Sequence, residues 1–368
     1  MNYKVPFVNY PLHYRSMEGE IDAAIKEVLS NGDLVMRSQM VEFEKNMASF
    51  VGVEYGIGVN SCSDALIFCL MAAGIKPGDE VITVAHTFVA TIEAIVHCGG
   101  IPVLVDVRED FNMDDEKVEQ AITPRTKAII PVHFNGRICN MENLAAIAGK
   151  YSLVMIEDSA QGLGAEFEGK KGGSFGLAGC FSFYPAKILG AAGDGGLVST
   201  NDAGIAEEIC FLRDHGRKGK DELVRYGFTS RLDNLQAAIL NVKFKYLRGW
   251  IERRRVIAGL YNEGLSGVSG VKLPPAPDAD RRYFDIYQNY VLRAEKRDEL
   301  AVYLREKGVE TIVSNPIPIN HQKALGLSHF RLANTEKFAK EVISIPNMPE
   351  LKDEQIEYVI DVIREFYK

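Results

Sequence analysis

Several features that would mark particular protein classes are scarce in this chain of 368 residues. It carries 42 lysine and arginine residues against 50 acidic ones, a formal net charge of -8. The chain therefore lacks the excess of positive charge that is typical of proteins that bind nucleic acid or an anionic membrane. No apolar run reaches the roughly 20 residues that cross a bilayer, and no N-terminal segment resembles a signal peptide. We predict a cytoplasmic protein that captures any anionic ligand locally.

Clustered metal-binding and redox residues are also missing from the sequence. The six cysteines and seven histidines are scattered, without the C-x-x-C spacing of zinc or redox sites. Most of the cysteines lie in apolar runs, so we predict that they are small buried side chains. We expect no structural metal.

Short apolar runs of strand length recur between segments of helical period over the first 200 residues. Near-continuous apolar runs that alternate with helices predict a largely parallel sheet, buried on both faces. The predicted strands are 55–60, 80–85, 101–107, 127–132, 152–158, 179–184 and 196–200, and the clearest helices between them are 64–74, 90–99 and 141–151.

The pattern changes in the last third of the chain. Residues 231–261 are predicted to form one long helical stretch that bridges two domains and reaches a basic, solvated end. A proline-rich segment, LPPAPDAD (273–280), precedes a further strand-like run and helices at 296–308 and 352–368. We predict a large domain over residues 1–245 and a smaller α/β domain over residues 246–368.

Polar residues follow several of the predicted strands, at the sheet edge where ligands bind in folds of this class. Asp158 ends one strand, and another strand leads to Ser182 and then Lys187. A further strand opens into the helix start at residues 61–64, and the strand at 80–85 leads to Phe88. Each residue alone has an ordinary alternative role, as a helix cap, a salt-bridge partner, a solvated cation or a core aromatic.

Together these side chains suit a single ligand. A helix start with free N–H groups and hydroxyls suits a phosphate. An ionised carboxylate keeps a pyridine nitrogen protonated, and an aromatic face stacks on a flat ring. A partly neutral lysine forms a Schiff base with an aldehyde. Phosphate, pyridine and aldehyde together describe pyridoxal 5′-phosphate.

Seven stretches of the chain, in order, resemble a known family: the pyridoxal-phosphate-dependent nucleotide-sugar aminotransferases of the DegT/DnrJ/EryC1/StrS group. This resemblance implies fold type I, the fold of aspartate aminotransferase, with a mostly parallel seven-stranded sheet and a smaller C-terminal α/β domain. The stretches are NSCSDAL, GDEVITVAHTFVATIEAI, GGIPVLVDV, AITPRTKAIIPVHFNG, IEDSAQGLGAEFEGKKGGSFG, FSFYPAKILGAAGDGG and SRLDNLQAAIL.

The resemblance also implies a role for each matched residue. Lys187 stands where the family's lysine holds the cofactor as an internal aldimine, and Asp158 matches the aspartate that pairs with the pyridine nitrogen. The other implied cofactor ligands are Cys62, Ser63, Phe88, Gln161 and Ser182.

Some positions depart from the family pattern or leave alternatives open. Cys62 replaces the usual glycine, and Thr229 stands where an asparagine commonly reaches the cofactor phosphate of the partner subunit. Either Asn320 or His321 matches a substrate-side histidine. Three residues lie in segments that border the family's dimer interface, where they could bind phosphate or the donor's carboxylate: Arg213, His215 and Arg231.

The activity implied is amine transfer from L-glutamate to a keto group of a nucleotide-linked keto-deoxysugar, in a ping-pong cycle through Lys187 and in a homodimer. Relatives that dehydrate sugars carry histidine in place of this lysine, so Lys187 favours transamination. The segment KILGAAGDGG (187–196) favours amination at C3. The alternatives are a C4 aminotransferase, a cofactor-dependent sugar dehydratase, and a regulatory protein that binds a sugar or the cofactor without turnover.

Overall fold

The computed structural model describes residues 3–368. Its strands are β1 (Tyr55–Val59), β2 (Glu80–Val84), β3 (Ile101–Val105), β4 (Thr126–Ile129), β5 (Val154–Asp158), β6 (Glu166–Phe167), β7 (Lys170–Lys171), β8 (Ala178–Ser182), β9 (Gly196–Thr200), β10 (Arg217–Lys218), β11 (Glu222–Leu223), β12 (Val271–Lys272), β13 (Tyr283–Phe284), β14 (Tyr290–Ala294) and β15 (Val342–Ile345).

The α-helices vary from one turn to five turns in length. They are α1 (Tyr10–Arg15), α2 (Glu18–Asn31), α3 (Ser38–Val51), α4 (Cys62–Ala72), α5 (Ala90–His97), α6 (Asp115–Val118), α7 (Met141–Tyr151), α8 (Ala203–Arg213), α9 (Asn234–Phe244), α10 (Leu247–Leu265), α11 (Arg297–Glu306), α12 (Ala333–Glu341) and α13 (Asp353–Phe366). Within residues 3–368 no helix combines the length and the apolar character needed to cross a membrane.

A seven-stranded sheet with the order β1-β9-β8-β5-β4-β2-β3 organises the larger part of the chain. Neighbouring strands from β8 through β3 are parallel, and β9 runs antiparallel to both β1 and β8. Separate hydrophobic clusters cover its two faces, one with α3 and α9 and the other with α4 and α8. All seven strands predicted from the sequence are present, so the predicted buried and mostly parallel sheet is confirmed.

A further hydrophobic cluster lies in the C-terminal part of the chain. The sheet β12-β14-β15 packs there with α10, α11 and α13, and Val5 from the N-terminus joins the same cluster. The apolar side of α13 is regular, because five of its residues at helical spacing are buried. This cluster is separate from those on the seven-stranded sheet, while the domain boundary between residues 245 and 246 stays a prediction.

The single helical stretch predicted over residues 231–261 is wrong. The stretch contains α9 and α10, with Lys245 and Tyr246 between them. The backbone N–H groups of these two residues donate to carbonyls three residues earlier, which interrupts the α-helical hydrogen-bond pattern. The interruption has a packing reason, since α9 packs against α2 and α3 while α10 packs against α13.

The basic end of that stretch is not solvated as predicted. Arg255 is only 8% exposed, and its guanidinium donates to the backbone oxygen of Asp285 at 2.8 Å. Arg254 donates to the backbone oxygen of Gln288 at 3.0 Å. These arginines therefore tie α10 to the segment that precedes β14.

Candidate active site

A cavity of about 700 Å³ opens at the carboxyl ends of β5 and β8, beside the start of α4. Seven of the predicted cofactor ligands line it: Cys62, Ser63, Phe88, Asp158, Gln161, Ser182 and Lys187. The crossover connections bring these residues together, because parallel strands present their carboxyl ends at the same edge of the sheet.

The start of α4 presents backbone donors to the cavity. Ser61 caps the helix by accepting a hydrogen bond from the N–H of Asp64 at 3.1 Å. Within the described chain the N–H groups of Cys62 and Ser63 have no acceptor, as expected for the first turn of a helix. Burial raises the pKa of the Cys62 thiol well above its ordinary value, so its side chain is neutral. This helix start can therefore bind an anion.

Gly196, the last residue of the glycine-rich segment after Lys187, lies against backbone atoms of another turn. A Cβ atom at this position would lie 2.5 Å from the carbonyl oxygen of Ser61 and 2.7 Å from the nitrogen of Cys62. The start of β9 thus packs directly against the turn that leads into α4. Only glycine allows this approach, since any side chain would push the two backbones apart.

Asp158 ends β5 as a buried carboxylate that is 6% exposed. One of its oxygens accepts a hydrogen bond from the hydroxyl of Thr91 at 2.7 Å, and the other from the N–H of Ala160 at 3.1 Å. The hydroxyls of Thr87 and Thr91 lie 2.8 Å apart. Because Thr91 donates its only hydroxyl proton to Asp158, Thr87 donates to Thr91. This chain of donors stabilises a negative charge on Asp158.

Lys187 follows β8 on a short loop, and its side chain is half-buried. No carboxylate lies within 4 Å of its amine among residues 3–368. Burial lowers the pKa of the amine from its ordinary value of about 10.5, and the nearby carboxylate of Asp158 partly opposes this effect. A lower pKa leaves more of the amine neutral at pH 7, as a nucleophile requires.

Aromatic and amide side chains form the walls of the cavity. The ring of Phe88 is 69% exposed and that of Tyr184 is 55% exposed, although both residues line the cavity. The side-chain oxygen of Gln161 accepts from the N–H of Asn135 at 2.7 Å, which leaves its NH₂ group free to donate. Ser182 accepts from the N–H of Tyr184 at 3.3 Å and keeps its own proton for a ligand.

The residue before Asp158 holds the surrounding loops. Glu157 is fully buried and accepts hydrogen bonds from the N–H groups of Gly173, Phe175 and Gly176 at 2.6–2.8 Å. His133 contacts the same carboxylate through Nε2 at 2.9 Å. The motif GGSFG therefore shapes the backbone around the end of β5, and Glu157 has no side-chain atom in the cavity lining.

Thr229 and Arg231 do not line the cavity of their own chain. The hydroxyl of Thr229 lies 3.0 Å from Nε2 of His215, and Arg231 forms an ion pair with Asp214 at 2.7 Å. Arg213 is buried and donates to the backbone oxygen of Gly58 at 2.8 Å. The role of Thr229 towards a partner subunit stays a prediction.

Asn320 and His321 also lie outside the cavity lining. Asn320 is fully buried and donates to the backbone oxygen of Phe330 at 3.3 Å, while His321 lies 3.2 Å from a carboxylate oxygen of Glu336. The C-terminal part of the chain reaches the cavity instead through Gln288, Asn289, Ile312, Ser314 and Ser344.

Sequence reasoning missed two kinds of residue at this site. Thr91 had a local signal, because it lies in the first turn of α5, the helix that follows β2 at the carboxyl ends of the strands. The C-terminal residues had none, since their approach depends on how distant parts of the chain pack. Phe7 and Val8 from the N-terminus line the cavity for the same reason.

Comparison with known proteins identifies relatives over almost the whole chain. A pleiotropic regulatory protein of Geobacillus stearothermophilus is 43% identical, with 99% of both chains covered. A dTDP-3-amino-3,4,6-trideoxy-α-D-glucose transaminase of Streptomyces venezuelae is 38% identical, with 99% of this chain and 96% of the relative covered. A UDP-N-acetyl-3-dehydro-α-D-glucosamine 3-aminotransferase of Acidithiobacillus ferrooxidans is 40% identical, with 99% and 98% covered.

The fold also matches a solved structure over almost the whole chain. The crystal structure of S. venezuelae DesV, in complex with a ketimine intermediate, superposes with a TM-score of 0.95 at 37% identity and covers 99% of this chain and 98% of DesV. The model of the DegT/DnrJ/EryC1/StrS aminotransferase family matches residues 15–364. The predicted fold type and the predicted family are confirmed: the chain belongs to the DegT/DnrJ/EryC1/StrS aminotransferase family.

Proposed function

We propose that the chain is a pyridoxal 5′-phosphate-dependent aminotransferase that moves an amino group from L-glutamate to the C3 keto group of a nucleotide-linked keto-deoxysugar. The observation that carries the proposal is the meeting of Lys187, Asp158 and the start of α4 in one cavity. The amine suits the cofactor's aldehyde, the carboxylate suits its pyridine nitrogen, and the helix start suits its phosphate.

The residues at the start of α4 fit the cofactor's phosphate. The N–H groups of Cys62 and Ser63 and the hydroxyls of Ser63 and Ser182 are available as donors. The thiol of Cys62 is neutral, so replacing the family's glycine adds no negative charge against the phosphate. When bound, the cofactor supplies an aldehyde and a ring that accepts electron density from the donor's α-carbon.

Lys187 is suited to both covalent attachment and proton transfer. Its lowered pKa favours the neutral amine that attacks an aldehyde. Of the described residues that line the cavity, it is also the only lysine, arginine or histidine. With the cofactor bound and its aldehyde carbon joined to the amino donor, the free amine of Lys187 would act as the base that takes the proton from the donor's α-carbon.

Asp158 would hold the ring nitrogen of the bound cofactor in its protonated form. The hydroxyl of Thr91 and the N–H of Ala160 donate to its two oxygens. Both bonds favour the charged carboxylate, and each oxygen keeps a further lone pair for the ring N–H. Phe88 offers an open aromatic face beside it on which the ring stacks.

The relatives' names support the nucleotide sugar and its C3 position. Two of the relatives described above are named for a sugar aminated at C3, one linked to dTDP and the other to UDP. The segment KILGAAGDGG supports the same position. The nucleotide differs between these two relatives, so the proposal leaves the base open.

Product analysis tests this proposal. The cofactor-loaded protein is incubated with L-glutamate and, separately, a 3-keto or a 4-keto nucleotide sugar, and the products are identified by NMR and mass spectrometry. We expect one 2-oxoglutarate for each amine formed at C3. An amine only at C4 would overturn the regiochemistry, and loss of a hydroxyl without amine incorporation would overturn transamination.

A regulatory role is the second candidate, because one relative is named a pleiotropic regulatory protein. The complete set of reactive residues in the cavity favours turnover over binding alone. The two functions differ in the half-reaction: an aminotransferase converts L-glutamate to 2-oxoglutarate without any sugar, whereas a protein that only binds the cofactor or a sugar produces none.

We also propose that the active form is a homodimer. Among residues 3–368, Lys187 is the only cationic side chain that lines the cavity, and a second copy would supply further cations for a diphosphate or the donor's carboxylates. The segment before Thr229 is strongly exposed, with Leu223 at 68% and Tyr226 at 96%. We expect a dimer in light scattering at micromolar concentration. A fully active monomer would contradict this proposal.

A further inference from the structure

The loop that carries Lys187 is closed by several backbone contacts. The N–H of Lys187 donates to the oxygen of Tyr184 at 2.8 Å, and the N–H of Ala191 donates to the oxygen of Phe183 at 2.8 Å. The buried amine of Lys243 donates to the oxygen of Gly190 at 2.6 Å. These contacts fix the two ends of the loop. The peptide groups on either side of Lys187 need other partners.

Gln288 supplies those partners from a distant part of the chain. Its side-chain oxygen accepts from the N–H of Ile188 at 2.8 Å, and its side-chain NH₂ donates to the oxygen of Ala186 at 3.0 Å. One amide group thus binds the backbone immediately before and after Lys187. Gln288 is 6% exposed and lines the same cavity.

The backbone of Gln288 is itself firmly held. Arg254 on α10 donates to the oxygen of Gln288 at 3.0 Å. Asn347, which follows β15, donates to the oxygen of Tyr287 at 2.8 Å. Both anchors belong to the C-terminal part of the chain, so Gln288 links that part of the molecule to the lysine loop.

We propose that Gln288 is a positioning residue that aims the Lys187 amine into the cavity by fixing the peptides on both sides of it. A lysine side chain has four rotatable bonds, so its direction depends on the backbone that carries it. Without Gln288 the Ala186 oxygen and the Ile188 N–H lose their partners, and the loop gains conformations in which the amine reaches water. This inference rests on the proposed function of Lys187.

The first test uses the cofactor-free protein. Trace acetic anhydride labels lysine amines in their neutral form, and mass spectrometry follows the label on Lys187 against pH, with exposed lysines as internal standards. In the unaltered protein we expect a midpoint below that of the exposed lysines, because burial disfavours the charged amine. Methionine has a volume similar to that of glutamine but cannot replace its two hydrogen bonds. In Gln288→Met we expect the labelling midpoint of Lys187 to rise towards the midpoint of the exposed lysines.

The second test uses pyridoxal 5′-phosphate as the probe. Borohydride traps the covalent adduct at successive times after mixing, which gives the rate at which Lys187 captures the aldehyde. We expect Gln288→Met to lower this rate about tenfold or more, since two hydrogen bonds that orient the loop are lost. Gln288→Leu provides a second apolar replacement if the methionine variant does not fold.

Tyr261→Phe is the matched control. It removes a buried hydrogen bond to the backbone oxygen of Pro346 in the C-terminal cluster and leaves the contacts of Gln288 with Ala186 and Ile188 in place. We expect both variants to lower the unfolding temperature, and only Gln288→Met to change the labelling midpoint and the capture rate.

Unchanged labelling and capture in folded Gln288→Met would overturn the inference, and so would equal changes in Tyr261→Phe. Failure of the unaltered protein to capture the aldehyde would instead refute the proposed function, because the labelling profile needs no cofactor.

Discussion

Replacing Gly196 with alanine tests whether the glycine-rich segment maintains the phosphate site. The new Cβ atom would lie 2.5 Å from the oxygen of Ser61 and 2.7 Å from the nitrogen of Cys62, whereas ordinary contacts begin at 3.4 Å. The start of β9 and the turn into α4 must therefore move apart by nearly 1 Å, since both contacts involve backbone atoms. This overpacking costs about 1–3 kcal/mol of stability.

The same movement displaces the N–H groups of Cys62 and Ser63 from a bound phosphate. Hydrogen bonds to a charged group contribute about 1.5–3 kcal/mol each. Losing the equivalent of one bond raises the dissociation constant of pyridoxal 5′-phosphate roughly 10- to 150-fold. Binding of pyridoxal, which has no phosphate, should weaken much less.

Absorbance titration of the cofactor-free protein with each compound measures this difference. The matched control is Gly149→Ala on α7, where an added Cβ meets no atom within 4 Å. We expect that control to retain both affinities and to gain about 0.5–1 kcal/mol of stability. Unchanged affinity for pyridoxal 5′-phosphate in folded Gly196→Ala, or an equal loss for both compounds, would refute the reasoning.

Variants at three further residues test other parts of the site and its surroundings. Asp158→Asn keeps the shape and removes the charge, so we expect the glutamate half-reaction to slow at least about 100-fold in stopped-flow absorbance, with the fold intact by circular dichroism. Thr91→Val removes the donor to Asp158 and should slow it about tenfold, while Thr91→Ser, which keeps the hydroxyl, should restore most of the rate. Burial lowers the pKa of His86 from 6.5 to about 4. Between pH 6.5 and pH 4 the unfolded chain therefore binds more protons than the folded one. The free energy of unfolding falls by roughly 3 kcal/mol as the pH drops through this window. His86→Phe should lack that loss in urea unfolding at pH 4 and pH 7; equal acid sensitivity would contradict it.

Hydrophobic pattern alone predicted the sheet, because each strand is a short apolar run between helices. It did not predict the break between α9 and α10. The residues on both sides have helical propensity, and the break arises from packing against two different clusters. The burial of Arg255 was not predictable either, because its partners Asp278 and Asp285 lie more than 20 residues away in the sequence.

The cavity was predictable where its residues follow strands or begin a helix. Asp158, Ser182, Phe88 and the start of α4 meet this condition, and the resemblance added Gln161. Residues that act through their neighbours were not predictable in this way. Gln288 binds the loop of a residue about 100 positions away, and neither its local sequence nor its periodicity indicates that contact.

Covalent trapping at Lys187 is the most direct test of the central claim. The protein is incubated with pyridoxal 5′-phosphate, reduced with borohydride, digested and analysed by mass spectrometry. We expect the added mass on the peptide that contains Lys187, no trapping in Lys187→Ala, and loss of trapping with release of one 2-oxoglutarate when L-glutamate is added before the reductant. Modification of other lysines alone, or a protein that binds no pyridoxal 5′-phosphate, would contradict the account.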